Sequence, residues 1–212
     1  MQEIVLKSDF GIDIHTGAYH RTNYPQIRTD IYNKESLRLA QAFNAPAIVN
    51  SNLRDGSLRA ALTQANIPLV LFEAGEALRF DEYSVDIGVE GILRVLEEID
   101  MLKKTFKKSQ KEIFIARSSS WIRAMQSGIC VPKIKLGEIV KKGQILAEIS
   151  NPFGDNKILV KAQEPGMVLG SSILPLVNKG DALFHIGFSK HQKNNLLTDN
   201  NEDIDSINPK HY

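Results

Sequence analysis

The first half of the chain alternates between two kinds of hydrophobic pattern. Segments 11–14, 47–50 and 67–72 have the short apolar character of strands. Between them, a helix is expected from about Lys34 to Phe43 and another after the turn at 55–57. Beyond residue 73, apolar positions recur at helical spacing, at Val85, Val89, Ile92, Leu93, Leu96, Ile99 and Leu102. This alternation predicts an α/β fold with parallel strands.

Side chains that can carry chemistry lie at the ends of two of these strands. Asp13 and His15 end the first strand, and Glu73 directly follows the apolar run 67–72. Because sites in parallel sheets lie at the carboxyl ends of strands, we expect His15 and Glu73 to face one site. The residues alone leave alternatives open, since Asp13 could simply satisfy His15, and Glu73 could cap a helix or pair with Arg79.

The pattern changes near residue 108. Beyond it, short β segments separated by Gly and Pro predict an all-β domain at 109–188, after a first domain at 1–108. The basic stretch 103–111 is more typical of a solvated linker than of a phosphate site. Residues 139–149 align with 176–186, and in both copies a Lys-Gly turn precedes an apolar strand. The polar tail at 189–212 is expected to be disordered.

Composition narrows the classes of partner. With 26 Lys and Arg against 25 Asp and Glu, the net charge of +1 creates no global field for nucleic acid or a membrane surface. The sequence predicts neither a signal peptide nor a membrane span. The single cysteine, Cys130, forms no intramolecular disulfide and is expected to be inert core. We therefore expect a cytoplasmic protein that binds neither nucleic acid nor membranes.

The repeated turn-and-strand unit resembles the biotinyl/lipoyl-like barrel, a flattened β-sandwich of two symmetric halves. Carrier proteins with this barrel expose a modified lysine on a hairpin between the halves. Lys157 lies in the corresponding stretch, but it lacks the flanking Met or Asp-Lys-Ala context of a modified lysine. The expectation is therefore a structural barrel.

With both halves considered, the chain resembles the succinylglutamate desuccinylase/aspartoacylase family of the zinc carboxypeptidase clan over about residues 9–188. The resemblance is carried by the barrel and by four segments: Asp-Ile-His-Thr-Gly at 13–17, Arg-Thr-Asn-Tyr-Pro-Gln-Ile-Arg at 21–28, Ile-Pro-Leu-Val-Leu-Phe-Glu-Ala-Gly at 67–75 and Ser-Trp-Ile-Arg-Ala at 120–124. It implies the C-terminal part of an α/β zinc-carboxypeptidase-like domain, followed by the all-β biotinyl/lipoyl-like barrel.

The resemblance also implies a chemistry, the zinc-dependent hydrolysis of the amide bond in small-molecule N-acyl amino acids. It makes His15 the third zinc ligand, supported by Asp13, and Glu73 the general base and acid. Arg21 and Arg28 follow closely and could hold a substrate carboxylate bidentately, although an arginine in a loop more often pairs with solvent or a nearby carboxylate.

The sequence departs from the family pattern in one respect. Family members bring their first two zinc ligands, a His and a Glu, from a loop well before the Asp-x-His-Thr strand, whereas this chain has no His-x-x-Glu pair. We therefore expect weak or absent zinc binding and no activity from this polypeptide alone. Either the chain is a truncated or split gene product, or a complementing chain completes the site. A homo-oligomer is also expected, because a truncated sheet exposes an edge or an apolar face. Whether the chain is an enzyme stays open. The alternative is a non-catalytic remnant that acts as an interaction module through the barrel.

Overall fold

The computed structural model describes residues 5–51, 57–107 and 112–190. In its first half, helices and strands alternate in the order β1 (Gly11–Gly17), β2 (Arg21–Thr29), α1 (Lys34–Phe43), β3 (Ala47–Asn50), α2 (Leu58–Gln64), β4 (Leu69–Glu76) and α3 (Glu82–Glu98). Within residues 112–190 the regular elements are all strands, in the order β5 (Phe114–Ala116), β6 (Ser118–Arg123), β7 (Gly128–Pro132), β8 (Ile139–Val140), β9 (Ile145–Ser150), β10 (Ile158–Lys161), β11 (Gly166–Ser172), β12 (Leu176–Val177) and β13 (Ala182–Phe188).

Capping side chains explain why two helices begin where the sequence predicts. The side chain of Asn33 accepts a hydrogen bond from the Ser36 backbone N–H at 3.0 Å, and Asn44 ends α1 in the left-handed conformation. Ser57 caps α2 in the same way, accepting from the Ala60 N–H at 3.0 Å. The helix α1 and the strand β3 have the bounds that the sequence predicts.

Three expectations about the strands are wrong in detail. β1 and β4 continue past their predicted ends, so His15 and Glu73 lie inside strands rather than at their ends. The sequence analysis treated Arg21 and Arg28 as loop arginines, but both lie in the nine-residue strand β2. β2 runs antiparallel to β4, while β1 pairs with β4 and β2 pairs with β3 in parallel. The sheet is therefore mixed.

One large sheet contains strands from both halves of the chain. Its described path runs β1-β4-β2-β11-β13-β6, and β3, β5 and β8 pair at its side. The helices α1 and α3 cover one face of the first half, where the rings of Phe43 and Phe72 lie 4.9 Å apart. The opposite face carries the polar side chains described below.

The internal repeat is confirmed in three dimensions. In each copy a two-residue strand, β8 or β12, leads through a glycine with positive φ into a longer strand, β9 or β13. The N–H of Gly143 donates to the Ala162 carbonyl at 2.8 Å, and the N–H of Gly180 donates to the Ala124 carbonyl at 2.8 Å. The two turns are therefore held by equivalent bonds.

The expected closed barrel is not confirmed. The described strands of the second half divide between the large sheet, which takes β6, β8, β11 and β13, and a four-stranded sheet ordered β10-β9-β7-β12. The two sheets enclose a core that includes Val168, Leu146 and Phe184. In the large sheet, β11 pairs with β13 on one side and with β8 and β2 on the other, so the sheet continues from the second half into the first. Cys130 lies in this core, as expected, and its burial raises the pKa of the thiol.

Some expectations fall outside the described residues. These are the nature of the tail beyond residue 190 and the basic residues at 108–111. In the described part of the basic stretch, the Glu97 carboxylate accepts hydrogen bonds from the backbone N–H groups of Thr105 and Phe106, which ties this segment to α3. The domain limits at 108 and 188 stay predictions. Among the described residues, no helix combines the length and apolar character needed to span a membrane.

Candidate active site

A β-bulge in β2 decides which side chains share a face of the sheet. Asn23 pairs with Gly75 and Gln26 pairs with Glu73, so three steps along β2 match two steps along β4. Pro25 lies in the bulge, where its missing N–H removes no ladder bond. Simple alternation would place Asn23 and Gln26 on opposite faces, but the extra residue reverses it. The side chains that consequently face the same side as Glu73 are Arg21, Asn23, Gln26 and Arg28.

His15 and Glu73 meet on this face. They are direct partners in the parallel pairing of β1 with β4, so their side chains leave the sheet on the same side. Asp13, two residues before His15, also faces this side, and its Oδ2 lies 3.1 Å from His15 Nε2. The His15 side chain is 50% exposed, and this exposure leaves the imidazole accessible to a ligand.

The Glu73 carboxylate is held by two donors from β2. Asn23 Nδ2 donates to Oε1 at 2.7 Å, and Arg28 Nη1 donates to Oε2 at 3.0 Å. These two hydrogen bonds fix the orientation of the carboxyl group on the face of the sheet. Each of its oxygens keeps a second lone pair for another proton donor. Arg79 pairs instead with Glu76, so the alternative pairing expected for Glu73 is not found.

The second half of the chain completes this face through β11 and β13. Gly170 on β11 pairs with Asn23 on one side and His185 on the other. A Cβ at Gly170 would lie 2.5 Å from Asn23 Oδ1, so the glycine makes room for the side chain that holds Glu73. His185 is buried, and burial together with the nearby Arg28 charge lowers the pKa of its imidazole to about 3. His185 is therefore neutral at physiological pH.

Two ring contacts extend the site face onto β6. The Trp121 ring stacks on His185, with 5.0 Å between ring centres and 12° between planes. The Arg21 guanidinium also contacts the Trp121 ring, with its central carbon 5.1 Å from the ring centre. Trp121 therefore packs against both His185 and the Arg21 guanidinium.

The structure brings together all five residues singled out by the sequence, namely Asp13, His15, Arg21, Arg28 and Glu73. Sequence reasoning missed Asn23 and His185, because only the bulge and the distant pairing of β11 and β13 bring them to the face. It also missed Gln26, which is fully buried in register with Glu73 and whose amide N and O find no hydrogen-bond partner in the described structure. Buried polar atoms of this kind are rare and concentrate at functional sites.

His15 and Asp13 fit one position of a zinc site. Asp13 contacts Nε2 of His15, so Nδ1 is the nitrogen that would bind a metal. A carboxylate that holds the other ring nitrogen in this way orients many zinc-binding histidines in proteins. Catalytic zinc sites usually take three protein ligands. Within residues 5–51, 57–107 and 112–190, no three His, Cys, Asp or Glu side chains come together as a metal-binding group.

Comparison with known families gives one match. Residues 2–99 match the model of the succinylglutamate desuccinylase/aspartoacylase catalytic domain. This range contains His15, Glu73 and the whole of β2. No curated protein matches the chain.

Solved structures share the fold. A succinylglutamate desuccinylase/aspartoacylase from Rhodobacter sphaeroides superposes with a TM-score of 0.76 at 21% identity, over 89% of this chain and 61% of that one. The ectoine utilization protein EutE from Ruegeria pomeroyi gives 0.76 at 23% identity, over 88% and 62%. A succinylglutamate desuccinylase from a Silicibacter species gives 0.74 at 22% identity, over 88% and 60%. The chain thus spans about 60% of the length of these structures, and the match includes both of its halves.

Proposed function

We propose that this chain, whose residues 2–99 match the succinylglutamate desuccinylase/aspartoacylase catalytic domain, carries on its polar face one side of the active site of a zinc-dependent hydrolase of N-acyl amino acids. The observation that carries the proposal is the placement of Glu73. Its carboxylate is oriented by Asn23 and Arg28 and lies in register with the accessible imidazole of His15.

Each residue of this face has a role in the proposed reaction. His15 would hold zinc through its imidazole, which Asp13 keeps in place. When bound, zinc would polarise the scissile carbonyl and activate water. Glu73 accepts the proton of the attacking water and passes it to the amine that leaves. Arg21 and Arg28 bind the carboxylate of the amino acid, Arg28 through the donors that it does not spend on Glu73.

Zinc binding tests the role of His15. A single imidazole holds zinc weakly, so we expect the polypeptide alone to bind zinc with low affinity and to show no hydrolysis until a complementing chain or a second copy supplies further ligands. His15→Ala should weaken zinc binding in a chelator competition titration. His20→Ala is the matched control, because His20 is exposed on the turn after β1. Equal zinc affinity in both variants would remove His15 from the metal site.

Hydrolysis tests the role of Glu73. In the zinc-loaded, active form, Glu73→Gln should lower kcat for release of free amine from an N-acyl amino acid by about 100-fold or more, because the amide cannot take up the proton. Glu76→Gln is the control, since Glu76 lies on the same strand and pairs with Arg79. If Glu73→Gln hydrolyses as fast as the control, the proposed mechanism is wrong. A folded chain that gains no activity with zinc and complementing chains, yet forms a defined complex through its second half, would support the interaction module.

A further inference from the structure

The strand β1 forms one edge of the large sheet. Among the described strands it pairs only with β4, at the end of the strand order. The Gly11 N–H donates to the Pro68 carbonyl at 2.9 Å, so the backbone groups of Gly11 point towards β4. Because successive residues of a strand direct these groups to alternate edges, those of Ile12 and Ile14 point away from β4. An edge of this kind can pair with a strand of another chain.

The middle of this edge is exposed. Ile14 is 59% exposed, and the neighbouring His15 side chain is 50% exposed. Ile14 pairs with Phe72 of the helix-covered core, so its side chain lies on the helix side of the sheet, whereas Asp13 and His15 lie on the site face. A strand added at this edge would bury Ile14 on one face and lie beside the metal-binding pair on the other.

The sequence of β1 is complementary to itself in the antiparallel direction. A two-fold axis perpendicular to the sheet keeps the site faces of two copies on the same side. One register pairs all seven residues of the strand. Its pairs are Gly11 with Gly17, Ile12 with Thr16, Asp13 with His15, and Ile14 with Ile14 of the second copy.

The side chains favour this register over its neighbours. The two copies of Ile14 bury each other, and each Asp13 carboxylate lies opposite an imidazole of the other copy. A shift by two residues in either direction would set Asp13 against Asp13 or His15 against His15, and like groups directly opposite each other are unfavourable. Because the backbone groups of Ile14 point outward, Asp13 and His15 form the non-hydrogen-bonded pair, in which side chains approach more closely.

The same register gathers metal ligands. Asp13 and His15 of both copies lie on one face, with directly opposite Cβ atoms about 4.5–5.5 Å apart and diagonal neighbours about 7–8 Å apart. Imidazole nitrogens and carboxylate oxygens are zinc ligands, and a zinc site needs three or four of them. The described residues of one copy form no such group of three. The second copy supplies what one copy lacks, and Glu73 lies one strand away in register with His15.

We propose that two copies of the chain pair through β1, and that His15 and Asp13 of both copies bind one zinc ion between them. The choice of zinc rests on the proposed function. The pairing identifies the second copy as the chain that completes the site, and it sets the metal content at one ion per two chains.

Mass and zinc content test the shared site together. We expect zinc to convert the purified chain from monomer to dimer in sedimentation experiments, with one bound zinc per two chains, and His15→Ala to abolish this conversion. Ile14→Lys should weaken the dimer by about tenfold or more, because it sets two ammonium groups opposite each other without changing a ligand. Val131→Lys is the matched control, since Val131 is also an exposed strand residue. A chain that stays monomeric in saturating zinc, or binds one zinc per chain, overturns the proposal.

Disulfide formation tests the register. In a Cys130→Ala background, Ile14→Cys places each new thiol opposite its own counterpart, with Cα atoms about 5.5 Å apart, a separation that a disulfide spans. In Thr16→Cys the two thiols are offset by about 13 Å along the strands. With oxidised glutathione we expect zinc-dependent cross-linking of Ile14→Cys and little of Thr16→Cys. Equal cross-linking of the two variants overturns the register.

The outcomes distinguish this proposal from the proposed function. A dimer with one zinc per two chains that cleaves no N-acyl amino acid overturns the proposed reaction alone. Hydrolysis by a zinc-loaded chain that stays monomeric overturns the shared site alone.

Discussion

At the scale of single residues, burial decides the charge state of His185. Transfer of the imidazole into the interior disfavours its protonated form, and the Arg28 charge adds to this effect, so the pKa falls from 6.5 to about 3. Between these two values the unfolded chain binds a proton that the folded chain does not bind. The free energy of unfolding therefore decreases as the pH falls through this window.

This difference predicts a steeper acid destabilisation for the natural protein than for His185→Phe. Over the window from 6.5 to about 3, His185 should contribute up to about 1.4 kcal/mol per pH unit to the slope of unfolding free energy against pH. The phenylalanine keeps the stack on Trp121 but takes up no proton. Urea unfolding at several pH values measures both slopes, with His20→Phe as the control for an exposed histidine. Parallel curves for the natural protein and His185→Phe would contradict the prediction.

At the scale of elements, two glycines set how closely α3 approaches its neighbours. A Cβ at Gly91 would overlap the Phe43 ring of α1, whereas a Cβ at Gly88 would lie 3.0 Å from Phe72 Cε1. Gly91 thus lets the two helices pack directly over the sheet. Its cost in helix propensity is offset by this close packing.

We expect Gly91→Ala to lower the free energy of unfolding by about 1–3 kcal/mol, because the core ring must move. Gly88→Ala gains the same helix propensity, about 1 kcal/mol, and meets a milder contact. It should stay near the stability of the natural protein. Denaturant unfolding of both variants gives the comparison, and a Gly91→Ala protein as stable as Gly88→Ala would show that the helices can move apart without loss.

The elements also show where sequence patterns succeed. The helix α1 and the strand β3 were predictable because caps and apolar runs are local signals. β2 was missed because its site face is polar, with Arg21, Asn23, Gln26 and Arg28 in place of an apolar alternation. Its bulge hides the period further, and no local pattern encodes the pairing of β2 with β11.

The same distinction applies to the site. His15 and Glu73 could be assigned to one face because each belongs to an apolar strand of the α/β pattern, and those two strands are adjacent and parallel. Asn23 and His185 needed knowledge of pairings between residues far apart in the sequence. The repeat of the second half could be recognised in the amino-acid sequence. The pairing of its strand β11 with β2 of the first half could not.

At the scale of the whole molecule, the large sheet joins the two halves through the pairing of β2 with β11. A small apolar cluster adds to this junction, with Ala47 and Val49 from the first half and Leu169 from the second. Because the junction consists of backbone hydrogen bonds and buried side chains, separation of the halves would expose both. The halves should therefore unfold together.

Two probes can follow the halves separately. The described α-helices all lie in residues 34–98, so helix circular dichroism reports on the first half, while Trp121 fluorescence reports on the second. We expect the two unfolding curves to coincide within error, with one midpoint in denaturant. Gly170→Ala, which would crowd Asn23 at the junction, should shift both curves to the same lower midpoint. Two separate transitions in the natural protein would show that the halves are independent units.

The pairing of β2 with β11 also limits which β-domains could replace the second half of the chain. A foreign β-half grafted onto the helical half would have to offer a strand in the register of Gly170 with Asn23, and a residue without a side chain at that point. A graft displaced by a single residue would turn its inward side chains outward and push the amide of Asn23 off the carboxylate of Glu73. A replacement of the second half must therefore keep a glycine at the position of Gly170 and its pairing with Asn23.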